Sequence, residues 1–318
     1  MIIRFFKAAY FSRIITLVLL IFVLWIPEPL FYTNSTSAYL PIAPWLQQIL
    51  AILLFFLTAL FFNKTVAEKR LSERNSYLTA FFFILIGSGT VFLTRLTPFL
   101  LATFFFAFFY QKVFNFQNSS KIIVTSFDAG LLLGLASLFY PPVALMIIFV
   151  WVALLVYQIG QWRAYVSNFL GMLIPWFFLL SGYLWIRKLP EVQSYFIQYF
   201  HVSGFRNPFI SNYDLAMFLL VALTSLIATF YLVGKLSSFN ISMRQHTLVG
   251  LWSLFFCLLI VFLFARHTQA LMLTALPAAL VISAFFSRIK KLKWANLFVL
   301  LWMLFIFVNH FLPLFHAA

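Results

Sequence analysis

The chain has 318 residues, 64% of them hydrophobic and only 8% charged, with 21 Lys+Arg against 6 Asp+Glu for a formal charge of +15. A water-soluble domain keeps roughly a quarter of its residues charged to hold its surface in solvent, so this composition excludes one. The positive excess does not point to nucleic acid either, because no basic run is long enough to follow a phosphate backbone.

In lipid, only helices or a closed barrel satisfy every backbone donor and acceptor. A barrel reads as segments of about ten residues with alternating polarity. Here the apolar runs are continuous and roughly 17–22 residues long, the length of a helix that crosses a bilayer. The expected fold is all-α: a polytopic transmembrane helical bundle of about eleven spans, forming a single integral-membrane domain over residues 1–318.

In chain order the spans fall at 14–26, 46–62, 77–94, 98–114, 122–139, 141–158, 166–186, 213–234, 248–265, 269–286 and 295–313. Arg4, Lys7 and Arg13 precede the first, and Pro27-Glu28-Pro29 follows it in place of a small-residue cleavage site, which reads as an uncleaved first span. After the second, Lys64–Arg74 reads as a short charged surface helix. Gly87-Ser88-Gly89 interrupts the third and reads as a kink. Asp128 opens the fifth, where an acid either stabilises the positive end of the helix dipole or, being costly inside a span, serves a function. Gly130-Leu-Leu-Leu-Gly134 follows as a small-xxx-small packing face. Tyr140-Pro141-Pro142 then breaks the fifth run from the sixth, leaving two spans or one re-entrant hairpin. Cys257, the single cysteine, lies in the ninth span and excludes an intrachain disulfide.

With the N-terminus inside, sixteen cations fall in inner segments and five in outer ones, a positive-inside asymmetry that leaves the C-terminus outside. Trp25, Trp45, Trp162, Trp185 and Trp294 fall near span ends, as an interfacial belt requires. Membrane lipid is the expected partner.

Candidate chemistry is sparse. The chain carries no phosphate loop, dinucleotide fingerprint or zinc-protease helix, and its five histidines lack ligand spacing, so neither a metal nor a particular cofactor is indicated. Glu28, set between prolines at the outer end of the first span, reads as a general base with poorly solvated surroundings, or as an ordinary loop acid. The outer cations Arg95, Arg187, Lys188, Arg206 and Arg266 run against the charge trend. Arg95, Arg206 and Arg266, with His267, are the candidates for clamping an anionic head group, because a guanidinium meets phosphate oxygens with two parallel hydrogen bonds. The alternative is that each anchors its own helix at the interface.

Phe127–Pro142, with its Asp-Ala-Gly-Leu-Leu-Leu-Gly core, then Trp162-Arg163-Ala164 and Gly171-Met-Leu-Ile-Pro-Trp176, resemble the middle spans of C-type membrane glycosyltransferases. The whole chain also resembles a family of Phe-rich bacterial inner-membrane proteins of unknown function. The first resemblance implies a polytopic enzyme that takes sugar from a polyprenyl-phosphate-linked donor at the outer face. In that superfamily an acid of the first outer loop binds metal or activates the acceptor, a place that only Glu28 can fill here. The arginines would then neutralise the leaving phosphate. Two other classes stay open: a transporter or flippase of a lipid-linked or amphipathic anion, and a non-enzymatic membrane assembly subunit. An outer cleft favours the enzyme, a through-going cavity the transporter, a solid bundle the scaffold.

Overall fold

Long apolar runs with no water to satisfy their backbone fold as helices, and every regular element among the described residues is helical. The computed structural model describes residues 2–7, 11–25, 43–69, 71, 76–89, 96–118, 121–200, 212–264, 268–289 and 292–317. The helices are α1 (Ile2–Phe6), α2 (Phe11–Trp25), α3 (Pro44–Glu68), α4 (Leu78–Gly87), α5 (Pro98–Phe114), α6 (Ile122–Phe139) and α7 (Met146–Val156). They continue with α8 (Trp162–Trp185), α9 (Leu189–Phe200), α10 (Asn212–Lys235), α11 (Ile241–Phe264), α12 (Met272–Arg288) and α13 (Leu292–Ala317).

Five of these, α3, α6, α8, α10 and α11, are long and apolar enough to cross a membrane. The other six expected spans coincide with apolar helices of 10–17 residues. Leu155, Phe178, Leu223, Phe230 and Phe262 are among the many large apolar side chains left exposed, the lipid-facing surface of an integral membrane protein.

Two helices form the centre. All ten residues of α4 are buried, and so are fifteen of the seventeen in α12. A helix apolar on every side can be enclosed by other helices without leaving polar groups unpaired. Around α4, Phe6 stacks on Phe81 at 4.5 Å, Phe55 meets Phe83 at 4.9 Å, and Phe82 meets Phe286 at 4.9 Å. Part of the heavy phenylalanine content is therefore helix-to-helix contact, while Phe22, Phe177, Phe230 and Phe262 are exposed.

The backbones of α6 and α8 approach each other closely. A Cβ on Gly130 would collide with the carbonyl oxygen of Asn168, one on Gly171 with that of Phe127, and one on Gly134 would lie 2.5 Å from the carbonyl oxygen of Met172. The Gly130–Gly134 stripe is the packing face its spacing predicts. Polar groups stitch the same interface: Ser126 Oγ donates to the Ala164 carbonyl at 2.7 Å, Asn168 Nδ2 to the Ser126 carbonyl at 3.0 Å, and Trp176 Nε1 to Ser137 Oγ at 2.8 Å.

Four sequence expectations change. Gly87-Ser88-Gly89 terminates α4 instead of kinking it: the Ser88 N–H bonds the Ile84 carbonyl and the Gly89 N–H the Ile86 carbonyl. Trp25 is not interfacial but fully buried, donating from Nε1 to Ser88 Oγ at 2.9 Å, whereas Trp45, Trp162, Trp185 and Trp294 are exposed near helix ends as expected. Asp128 lies beyond the first turn of α6, where the helix dipole no longer favours it, and instead pairs with Lys112 of α5 at 2.8 Å. Lys64–Glu68 is no separate surface helix but the last turn of α3; residues 70 and 72–75 lie outside the described residues.

Among the described residues the chain also turns twice without glycine where glycine is the usual choice. Gln158 and Arg187 take φ of 60° and 59° just past the ends of α7 and α8. Each closes a left-handed cap, with Ile159 N–H reaching the Leu154 carbonyl and Lys188 N–H the Tyr183 carbonyl, both at 2.9 Å. The second cap folds amphipathic α9 back onto the bundle, where Tyr195 Oη donates to the Leu138 carbonyl at 2.9 Å and Phe196 lies 4.5 Å from Trp176. Burial, with Tyr199 adding to it, raises the Tyr195 phenol above its ordinary pKa.

Candidate functional site

The two ends of the bundle differ in chemistry. At the end where α1, the start of α4 and the end of α12 meet, polar groups are paired among themselves. Asn63 Nδ2 donates to the Ser76 carbonyl at 3.0 Å, Lys7 Nζ to the Ser287 carbonyl at 2.6 Å, and Arg288 to the Leu71 carbonyl at 3.1 Å. His246 is buried at this end near the start of α11, its Nδ1 2.7 Å from the Tyr157 hydroxyl. Gln117 Nε2 donates to Gln245 Oε1 at 2.7 Å, and Gln245 Nε2 to the Val156 carbonyl at 3.1 Å. Together these bonds tie α5, α7 and α11 into a closed seam. Its polar groups satisfy one another, which is a structural arrangement.

At the opposite end, α4 stops short. Its last residue, Gly87, has no room for a side chain, since a Cβ there would be 2.6 Å from the Phe55 ring. Beyond it Ser88 is held by Trp25, whose own carbonyl accepts from Gln48 Nε2 at 3.2 Å. A small cleft of about 30 Å³ remains between its tip and the first turns of α10 and α12. Ile86, Met217, Val221, Leu271 and Met272 supply apolar walls, and Asp214 supplies the carboxylate. The space is enough for a water or two, and its lining is apolar apart from the Asp214 carboxylate and the Thr274 hydroxyl.

Asp214 is only 2% exposed. It sits in the first turn of α10. The buried face of α10 runs Asp214, Met217, Val221, Thr224, Ser225, Ala228 and Leu232, a helical stripe that turns Asp214 inward with the core residues. Thr274, also on the cleft wall, has its hydroxyl committed to the Leu271 carbonyl at 2.7 Å. Asp214 is the ionisable side chain on the cleft wall.

The site residues expected from sequence, Glu28, Arg95, Arg206, Arg266 and His267, all lie outside the described residues. Sequence reasoning missed Asp214. The signal was present: Asp214 is an acid in the first turn of an expected span, the criterion that singled out Asp128. The described residues hold no group of three or more His, Cys, Asp or Glu able to bind a metal ion.

A helical bundle with lipid-exposed flanks, a sealed polar seam at one end and a cleft with a buried acid at the other defines an integral membrane protein. The chain belongs to the family of unknown function DUF6427, whose model matches residues 5–315. No curated protein and no solved structure matches it.

Proposed function

We propose that the protein is a bacterial inner-membrane enzyme of about eleven spans in one domain, N-terminus inside, that resembles C-type glycosyltransferases and transfers sugar from a polyprenyl-phosphate-linked donor at the outer face. The observation that carries this reading is the cleft together with the chain connections that feed it. Arg95 lies six residues beyond Gly89, Arg206 eight before Asp214, and Arg266 and His267 five and four before Leu271. Glu28 follows Trp25 by three. All five candidate residues thus belong to segments joined directly to the helix ends at the cleft, which supports one shared site over isolated anchors.

In this reading Glu28 takes the proton of the acceptor hydroxyl as that oxygen bonds to the sugar. Arg95, Arg206 and Arg266 neutralise the departing phosphate, with His267 beside them; charge developing on a leaving group is where fixed donors act most strongly.

The orientation rests on the inner excess of cations and the odd number of spans. Reporter fusions after Lys69 should register the cytoplasm and fusions after Ala318 the outer face; a cytoplasmic signal from both would overturn an outward-facing site. The phosphate role is tested by titrating purified protein in nanodiscs with a polyprenyl phosphate. Arg95→Ala, Arg206→Ala and Arg266→Ala should each weaken binding about tenfold or more, since a hydrogen bond to a charged group contributes about 1.5–3 kcal/mol. Arg187→Ala, at the exposed corner between α8 and α9, should leave binding unchanged. Equal weakening by all four would assign the effect to surface charge and end the proposal.

A further inference from the structure

Independently of the sugar-transfer reading, we infer that α9 is an interfacial helix that rests one flank on the bundle, sinks a second into phospholipid and keeps a third in water. The length of α8 sets the level at which α9 starts. Trp162 and Trp185, the first and last residues of α8, are 68% and 91% exposed. The 24 residues of α8 rise about 36 Å, slightly more than the roughly 30 Å hydrocarbon layer. Each of the two rings therefore falls at a headgroup level, where tryptophan concentrates. The left-handed turn at Arg187 sends α9 back from that level. With 12 residues, a rise of about 18 Å, α9 is too short to cross the membrane.

Its flanks differ in chemistry. Val192, Tyr195, Phe196 and Tyr199 follow the i, i+3, i+4, i+7 pattern of a packed face. Val192 is buried, and the Tyr199 ring lies 5.8 Å from that of Tyr140. Tyr195 Oη also reaches the carbonyl of Phe139, the last residue of α6, at 3.2 Å. The final carbonyls of a helix have no intrahelical donor, so α9 covers groups that lipid would leave unpaired. Leu189 and Ile197 lie on the next flank, 38% and 58% exposed although both are apolar. Glu191 and Ser194 are exposed on the opposite flank, with Glu191 paired to Lys188 at 2.9 Å. Phospholipid is the occupant of the apolar flank because that flank continues the lipid-facing surface. Leu184, Trp185 and Ile186 carry the exposed apolar side of α8 over the corner to Leu189.

The experiment places a nitroxide on Leu189→Cys, Ile197→Cys, Glu191→Cys or Ser194→Cys, each in full-length Cys257→Ala protein in phosphatidylethanolamine–phosphatidylglycerol nanodiscs. Collisions are measured with oxygen, which concentrates in hydrocarbon, and with a water-soluble nickel chelate. The oxygen-to-nickel ratio should be about fivefold higher at Leu189 and Ile197 than at Glu191 and Ser194, as for a helix whose apolar side is sunk about 5–10 Å into the headgroup–acyl boundary. Nickel favoured at all four positions would place α9 in water, and oxygen favoured at all four would place it wholly in hydrocarbon. Protection of Leu189 and Ile197 from both reagents would mean that protein covers them. Each of these results would overturn the inference. A readout with Cys257 intact is tryptophan quenching by lipids brominated near the glycerol end of the acyl chain. Trp185→Phe should lower the quenched fraction, and an unchanged fraction would equally overturn the inference.

Discussion

Gly130→Leu should yield a protein that no longer runs as a monodisperse species in detergent, and Gly130→Ala one that melts well below the wild type. The new Cβ would meet backbone: besides the Asn168 carbonyl oxygen it would lie 2.9 Å from that carbonyl's carbon and 3.1 Å from the Asn168 Cα. Backbone cannot rotate aside as the end of a side chain can, so α6 and α8 have to separate. Overpacking of this kind costs about 1–3 kcal/mol for a single methyl group and more for a larger side chain. Separation also breaks the Ser126–Ala164 and Asn168–Ser126 hydrogen bonds, each contributing roughly 0.6 kcal/mol between membrane helices. The matched controls are Gly182→Leu and Gly234→Leu, where an added Cβ meets nothing within 4 Å. If Gly130→Leu is as stable as these two, the close packing of α6 on α8 is wrong.

Glu28→Gln should abolish function while leaving the protein folded and inserted. The amide keeps the shape and hydrogen-bonding reach of the acid but cannot take a proton, and a positioned general base is worth about a hundred- to ten-thousand-fold in rate. The readout is complementation of a strain lacking the gene, with the amount of membrane-inserted protein measured alongside. As an ordinary loop acid, Glu28 would change stability by at most about 0.5 kcal/mol on this substitution and leave function intact. Full complementation at normal expression would therefore remove Glu28 from the chemistry, and the transporter and assembly classes would take precedence over transfer.

Much of the fold is legible in the residues because lipid imposes a simple rule. A continuous apolar run must be a helix, and a Gly-xxx-Gly stripe on it must be where another backbone comes close; the α6–α8 contact follows from both. What depends on three-dimensional neighbours is harder to read. Trp25 has the position of an interfacial tryptophan in the sequence, and nothing local reveals that Ser88, 63 residues on, accepts its N–H. Asp128 carries the same ambiguity, resolved only by Lys112 arriving from the preceding helix. The cleft exists because α4 ends early, and Gly87-Ser88-Gly89 is as compatible with a bent helix as with a finished one. Asp214 stood out least, since an acid in the first turn of a helix is ordinary until that turn is known to point inward.

The shortness of α4 bears on how the protein is made. Ten residues of helix rise about 15 Å, roughly half of the hydrocarbon layer, so α4 cannot anchor itself by crossing it. Its enclosure depends on α12, whose first residue, Met272, is translated 185 positions after Gly87. At about 5–20 residues per second the ribosome needs roughly 10–40 s to cover that distance. Throughout that interval the Phe82 ring lacks the Phe286 and Trp302 rings that later close over it at 4.9 and 6.3 Å. The centre of the bundle is therefore completed late in synthesis, only after α12 and α13 have emerged.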